Sequence, residues 1–100
     1  MLAAAHRVRA AILSIAETFE VSSTERKGVF AIASPEIAAK YADQSAVDSS
    51  DRPIRLIIVP DDDTTDLTDT IDYAGLSLSI LNIVARRYRG AVLFKIIVAH

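Results

Sequence analysis

The sequence predicts an α/β fold with a single open sheet of four mostly parallel strands, three helices and one antiparallel edge hairpin. Residues 54–59 and 91–98 are apolar runs, which is typical of strands covered on both faces. Residues 72–89 lie between them and have the composition of a long helix buried on most sides. Two strands joined by such a helix form a right-handed parallel unit. The predicted element order is α-β-β-α-β-α-β.

The first half of the chain supplies the edge hairpin. Residues 3–16 carry apolar side chains at helical spacing, and the period then changes to two. Phe19 and Val21 alternate with polar residues, so 18–23 is predicted as a half-buried antiparallel strand. The polar residues that follow end in a glycine and connect it to a second strand at 29–33.

A second helix is predicted directly after that hairpin. Ser34 can supply the capping oxygen, and Pro35 suits the first helical position. The helix is expected to end near Gln44. Residues 43–53 are rich in serine and aspartate and are predicted to form a solvated loop.

Composition limits the classes of protein to which the chain can belong. One hundred residues, half of them hydrophobic, indicate a single globular domain over 1–100. The net charge of −2 gives no sign of a nucleic-acid or membrane partner. Cysteine is absent, which excludes disulfides and thiolate chemistry. The beginning of the chain does not have a secretory layout, so a cytoplasmic location is expected.

An acidic segment after the first apolar run is a candidate divalent-ion site. Its carboxylates would suit Mg²⁺ or Ca²⁺, with Asp61, Asp63 and Asp66 as the ligands considered. A calcium-binding loop, however, needs glycine where Asp66 stands and glutamate where Asp72 stands. We therefore favour the simpler interpretation, a solvated loop whose last aspartates cap the predicted third helix.

The chain shows no catalytic constellation and no cofactor motif, so we expect a protein that is not an enzyme. His6 and His100 lie at opposite ends of the sequence and have no local metal-binding or nucleophile pattern. Three glycines in total are too few for a phosphate-binding loop. Three arginines near residue 88 are explained as partners of the negative end of the third helix.

The segment Asp72-Tyr73-Ala74-Gly75, followed by Leu76 and a long apolar stretch, resembles the STAS domain of bacterial anti-sigma-factor antagonists, in circularly permuted order. The resemblance implies that these four residues face a protein partner. It also places the phosphorylated hydroxyl residue of the family at Ala74. An alanine has no hydroxyl, so the family's phospho-switch cannot operate at this position.

Three hypotheses of function follow. The first is an α/β scaffold of artificial, de novo origin, without an evolved activity, which is motivated by the absence of catalytic residues and cofactor motifs. The second is a STAS-like regulatory module that binds a protein partner through residues 72–75 without the phospho-acceptor. An enzyme that uses the aspartates for metal-dependent chemistry is the third and least favoured alternative.

Overall fold

The protein folds as a closed, six-stranded antiparallel β-barrel, so the predicted open α/β sheet is wrong. A computed structural model describes residues 2–43, 47 and 52–100. The elements are α1 (Leu2–Ile15), β1 (Glu17–Val21), β2 (Thr24–Ala33), α2 (Pro35–Ala38), β3 (Ile54–Pro60), β4 (Thr70–Tyr73), β5 (Leu76–Tyr88) and β6 (Ala91–Ala99). The strands follow one another around the barrel in the order β1-β2-β3-β6-β5-β4, and β4 closes the ring against β1.

Most of the short elements lie where the sequence predicts them. The first helix, the antiparallel hairpin of the first half and the apolar runs at 54–59 and 91–98 all form. The hairpin is not at a sheet edge as predicted, because β1 pairs with β4 as well as with β2, and its turn lies at Ser22-Ser23 and not at 24–28. The Ser34 side chain accepts a hydrogen bond from the amide of Ile37, as expected of a cap, but the helix that it begins has only four residues. The predicted end of that helix at Gln44, and most of the 43–53 loop, fall outside the described residues.

The prediction of a third helix over 72–89 is the error that changes the fold class. This stretch forms β4, a tight turn and the 13-residue strand β5. Its first part, Leu76 to Ile80, alternates apolar residues with serines, which is the period of a strand. The denser apolar run that follows obscures this signal. Helix and strand cannot be separated by periodicity when nearly every position is apolar.

Two-residue turns connect the three hairpins of the barrel. Both residues of each turn have positive φ: Ser22-Ser23 between β1 and β2, Ala74-Gly75 between β4 and β5, and Arg89-Gly90 between β5 and β6. Positive φ at both central positions defines the type I′ turn, whose twist matches that of the flanking strands. Gly75 and Gly90 therefore mark hairpins and not helix boundaries.

Residues that alternate along the strands fill the barrel interior. The fully enclosed ones come from β1, β3, β4, β5 and β6: Phe19, Val21, Ile57, Val59, Ile71, Leu78, Ile97 and Ala99. Phe30 contributes from β2, with its ring 5.6 Å from that of Phe19 and edge-on to it. Aromatic pairs prefer this geometry to a face-to-face sandwich.

The outer face of the barrel carries a second, smaller cluster. Ala38 of α2 and Val47 are buried there against Ile54 of β3 and Val98 of β6. Helix α1 packs over β6, β3 and β2. The helices therefore cover one side of the sheet, and both ends of the barrel are left to loops.

Candidate functional site

The two ends of the barrel are built differently. The chain from 61 to 69 leads from the end of β3 to the start of β4 and crosses one end of the barrel. The other end is formed by the start of β3, the end of β6 and the turn between β4 and β5. We call the first the plugged end and the second the barrel mouth.

At the plugged end, two cations from the barrel wall hold the crossing loop. Arg26 donates from one guanidinium nitrogen to Asp63 at 3.4 Å and to the Thr65 hydroxyl at 3.1 Å. Lys95 donates to the carbonyl of Asp63 at 2.6 Å. Asp63 also accepts the amide of Thr65 at 2.8 Å, and Thr65 is buried. The loop is thus fixed by polar contacts whose cationic partners come from two different strands.

A second ion pair ties the same loop to α1. Arg9 donates to both carboxylate oxygens of Asp61, at 2.9 and 3.0 Å. This bidentate geometry is the strongest form of the arginine–carboxylate contact. The hydrogen bond from Arg9 lowers the pKa of Asp61 below its ordinary value, and desolvation of the carboxylate opposes that change.

The residues considered as divalent-ion ligands do not converge. Asp61 is bound to Arg9, Asp63 is bound to Arg26, and the amide of Asp66 donates to Asp69. Among the residues that the structure describes, no group of three histidine or acidic side chains could hold a metal ion. The visible role of this acidic loop is to close the barrel and to anchor α1.

We predict that Asp61→Asn makes the protein less sensitive to acid. The pKa of Asp61 is lowered by folding, so its ion pair stabilises the folded state above the unfolded pKa of about 3.9. That contribution disappears as the pH falls through the lower, folded value. We expect the free energy of unfolding, measured with urea at pH 7 and at pH 3, to fall less between the two pH values in Asp61→Asn than in the wild type.

Asp62→Asn is the matched control for this comparison. Its carboxylate is 65% exposed and only 4.0 Å from Arg9, too far for a hydrogen bond. The control variant should retain the acid sensitivity of the wild type. Equal acid sensitivity of Asp61→Asn and Asp62→Asn would show that the bidentate contact with Arg9 does not contribute to the pH dependence of stability.

The barrel mouth contains an open cavity of about 500 Å³. It is lined by Arg52, Pro53, Arg55, Gly75, Leu76, Ser77 and Leu78. Arg55 lies on the same face of β3 as Ile57 and Val59 and therefore points into the barrel. Arg52 bridges the cavity and donates to the carbonyl of Ser77 at 3.2 Å. Two guanidinium groups thus border an otherwise mostly apolar hollow.

Tyr73 and Glu17 stand beside this cavity. The Tyr73 hydroxyl donates to the Glu17 carboxylate at 2.5 Å, and the Tyr73 ring stacks on Phe30 with centroids 3.8 Å apart. The hydrogen bond to Glu17 raises the pKa of Tyr73, burial and the charge of Glu17 add to the rise, and Arg55 opposes it. A tyrosine with a raised pKa stays neutral and is not suited to act as a base.

The residues predicted to face a partner, Asp72 to Gly75, form the end of β4 and the turn at the mouth. They do not begin a helix, so no helix N-terminus is available at Ala74. Asp72 and the two turn residues are exposed, whereas Tyr73 is half-buried. The motif that resembles the STAS domain therefore coincides with a hairpin turn and not with the start of a helix.

The far end of the β5–β6 hairpin is a further exposed feature of the described surface. Within the part of the chain that the structure describes, no other strand flanks it beyond the pair Arg86–Phe94, because β3 ends its pairing at Phe94 and β4 ends its pairing at Ser79. We call residues 86–92 the hairpin arm. Arg86, Arg87, Tyr88 and Arg89 are all exposed on it.

Comparison with protein-family models, with curated proteins and with solved structures finds no match to this chain. The resemblance to the STAS domain consequently stays a prediction, although the α/β fold that it implies is not the fold of this chain. Within the described residues, no helix is long and apolar enough to cross a membrane.

Sequence reasoning missed the mouth and the arm. In the sequence Arg55 lies within an apolar run, and the arginines near residue 88 fit the end of the predicted third helix. The signal available for the arm was the Arg89-Gly90 pair, whose glycine favours a tight turn between two strands. The mouth has no local signal, because its lining residues come from two segments that are at least twenty positions apart.

Proposed function

We propose that this chain is a non-enzymatic protein-interaction module that binds an acidic surface of a partner protein through its hairpin arm. The observation that supports the proposal best is the arm itself, a two-stranded ribbon that no other strand of the described residues flanks and that exposes three arginines and a tyrosine. Arginine and tyrosine are enriched in the energetically important parts of protein interfaces.

The distribution of charge supports an acidic partner. All thirteen acidic residues of the chain lie at or before Asp72, whereas the arm carries three positive charges and no negative one. An interface gains association rate and specificity when potentials of opposite sign meet. The arm is therefore the part of the chain to which an acidic surface is attracted.

The contacts of the arm allow it to engage a partner without loss of the fold. The Arg86 guanidinium lies 5.4 Å from the centre of the Tyr41 ring, and that of Arg89 lies 5.3 Å from the Tyr88 ring. Such contacts at exposed sites contribute only about 0.5–1 kcal/mol each. The guanidinium groups can therefore be redirected to carboxylates at small cost.

A nucleic acid is less suited to the arm than a protein. Binding to a phosphate backbone depends on neutralising many phosphates at once, and three arginines on a protein of net charge −2 offer few such contacts. The stacked base-binding surface of single-strand binders needs several aromatic groups, and the arm exposes only Tyr88 among residues 86–92.

NMR titration tests the proposal. We expect hexaglutamate, used as a model acidic segment, to shift the amide signals of residues 86–92 and to do so less as salt is added. The triple variant Arg86→Gln, Arg87→Gln, Arg89→Gln should abolish the shifts. The matched control, Arg7→Gln with Lys27→Gln and Lys40→Gln, removes three exposed cations elsewhere and should preserve them.

Two results would contradict the proposal. One is an equal response of the triple variant and its control, which would mean that the arm is not the binding surface. The other is a stronger response to a single-stranded oligonucleotide of equal charge. Silence of the arm with both probes would favour the scaffold hypothesis, in which no evolved partner exists. A cytoplasmic location, expected from the sequence, stays a prediction.

A further inference from the structure

The barrel mouth combines a cation with apolar surface in a way that the proposed function does not use. Arg55 projects inward at the level where the apolar interior ends, and it is half-buried. Among the described residues, the structure places no carboxylate in an ion pair with it. A guanidinium is always charged and is stabilised by an anionic partner when water is partly excluded.

Apolar side chains surround this cation on two sides. Ile32 is the cross-strand neighbour of Arg55 on β2 and is 70% exposed. Leu76 lines the cavity at the start of β5 and is 46% exposed, and the enclosed Leu78 forms the cavity floor. Apolar groups beside a small number of charges, here the inward-pointing Arg55 and the bordering Arg52, are the usual composition of a small-molecule site.

We propose that the barrel mouth binds a small organic carboxylate, with the carboxylate paired to Arg55 and its apolar chain lying on Leu76 and Leu78. The cavity of about 500 Å³ falls within the size range of known small-molecule pockets, roughly 300–1,000 Å³. The proposal does not depend on the hairpin arm, since the arm and the mouth share no residue.

A carboxylate suits this site better than a phosphate or a neutral ligand. The planar guanidinium binds the oxygens of a carboxylate or a phosphate in bidentate geometry, which favours either anion over a neutral ligand. Glu17 lies close enough to the mouth to influence Tyr73, so a doubly charged phosphate would be repelled more than a singly charged acid. A neutral ligand would leave Arg55 without its counter-charge.

NMR titration with 4-methylpentanoate tests the proposal on the full chain. We expect saturable shifts of the amide signals at residues 52–55 and 75–78. Acetate supplies the charge without the apolar chain, and 4-methylpentan-1-ol supplies the chain without the charge. Each should bind roughly tenfold more weakly or worse, the size of effect expected from losing a charge-assisted hydrogen bond or several buried methylene groups.

Arg55→Gln should weaken binding of 4-methylpentanoate roughly tenfold or more and leave the affinity for the alcohol unchanged. Arg87→Gln, an exposed cation on the arm, is the matched control and should bind like the wild type. Leu76→Ser serves as a second variant, because Leu76 is half-exposed and its replacement should not impair folding. It should weaken binding of the acid and of the alcohol alike.

The proposal is overturned if 4-methylpentanoate produces no localised shifts at the mouth, or if Arg55→Gln binds it as tightly as Arg87→Gln does. Equal affinities for the acid and the alcohol would also overturn it, because the site would then recognise apolar surface alone. Loss of the arm's response to hexaglutamate would not affect it, so the two proposals fail separately.

Discussion

Leu78→Ala is expected to lower the free energy of unfolding by about 2–5 kcal/mol, the range measured for fully enclosed leucines. Leu78 is 1% exposed and belongs to the cluster inside the barrel. The substitution removes three carbon atoms from the barrel interior, so the favourable free energy of transferring them out of water is lost. The closed wall of strands also limits how far neighbours such as Ile57 and Ile97 can move to fill the space.

Urea unfolding measures the decrease in the free energy of unfolding that Leu78→Ala causes. Leu67→Ala is the matched control. Leu67 is 53% exposed in the loop that crosses the plugged end, so its truncation should change stability by about 0.5 kcal/mol or less. The slope of the unfolding free energy against urea concentration should be the same for both variants, since neither substitution changes by much the surface that is exposed on unfolding. A cost for Leu78→Ala as small as that of the control would show that the barrel interior is not packed as described.

The position of Leu78 also shows why the sequence predicts the elements better than their assembly. Strands β1, β3 and β6 are recognisable from local periods of two or from short apolar runs. Leu78 belongs to an alternating stretch, but it is followed by positions 80–85, which are apolar except for Asn82. The β5 strand is apolar there because one face contributes to the barrel interior and part of the other contacts the outer cluster through Leu81.

A single misassigned element was enough to change the fold class. A helix between two apolar strands implies a parallel crossover, whereas a strand in the same place allows short antiparallel hairpins. The contacts of the acidic loop were likewise not predictable from local sequence. Its aspartates could be identified from the sequence, but their partners Arg9 and Arg26 lie more than thirty positions away. Long-range pairing of this kind has no local sequence signal.

Gly28→Ala is expected to destabilise the fold by about 1–3 kcal/mol through overpacking of the barrel. Gly28 is the last residue of β2 that pairs with β1, and Val29 is the first that pairs with β3. A β-carbon at position 28 would lie 2.8 Å from the Cγ2 atom of Ile57 and 3.1 Å from the Cγ1 atom of Val59. Both of those side chains are fully enclosed, so neither can turn away towards solvent.

A double-mutant cycle with Ile57→Ala separates this clash from a general effect of replacing glycine in a strand. Ile57→Ala removes the nearest contacting atom, so the added methyl group at position 28 gains room in that background. We therefore expect Gly28→Ala to cost less in Ile57→Ala than in the wild type, with a coupling free energy of roughly 0.5–3 kcal/mol. Strictly additive costs would contradict the close approach of β2 and β3. The cycle thus measures the contact that leaves room only for glycine where β2 passes from one neighbouring strand to the next.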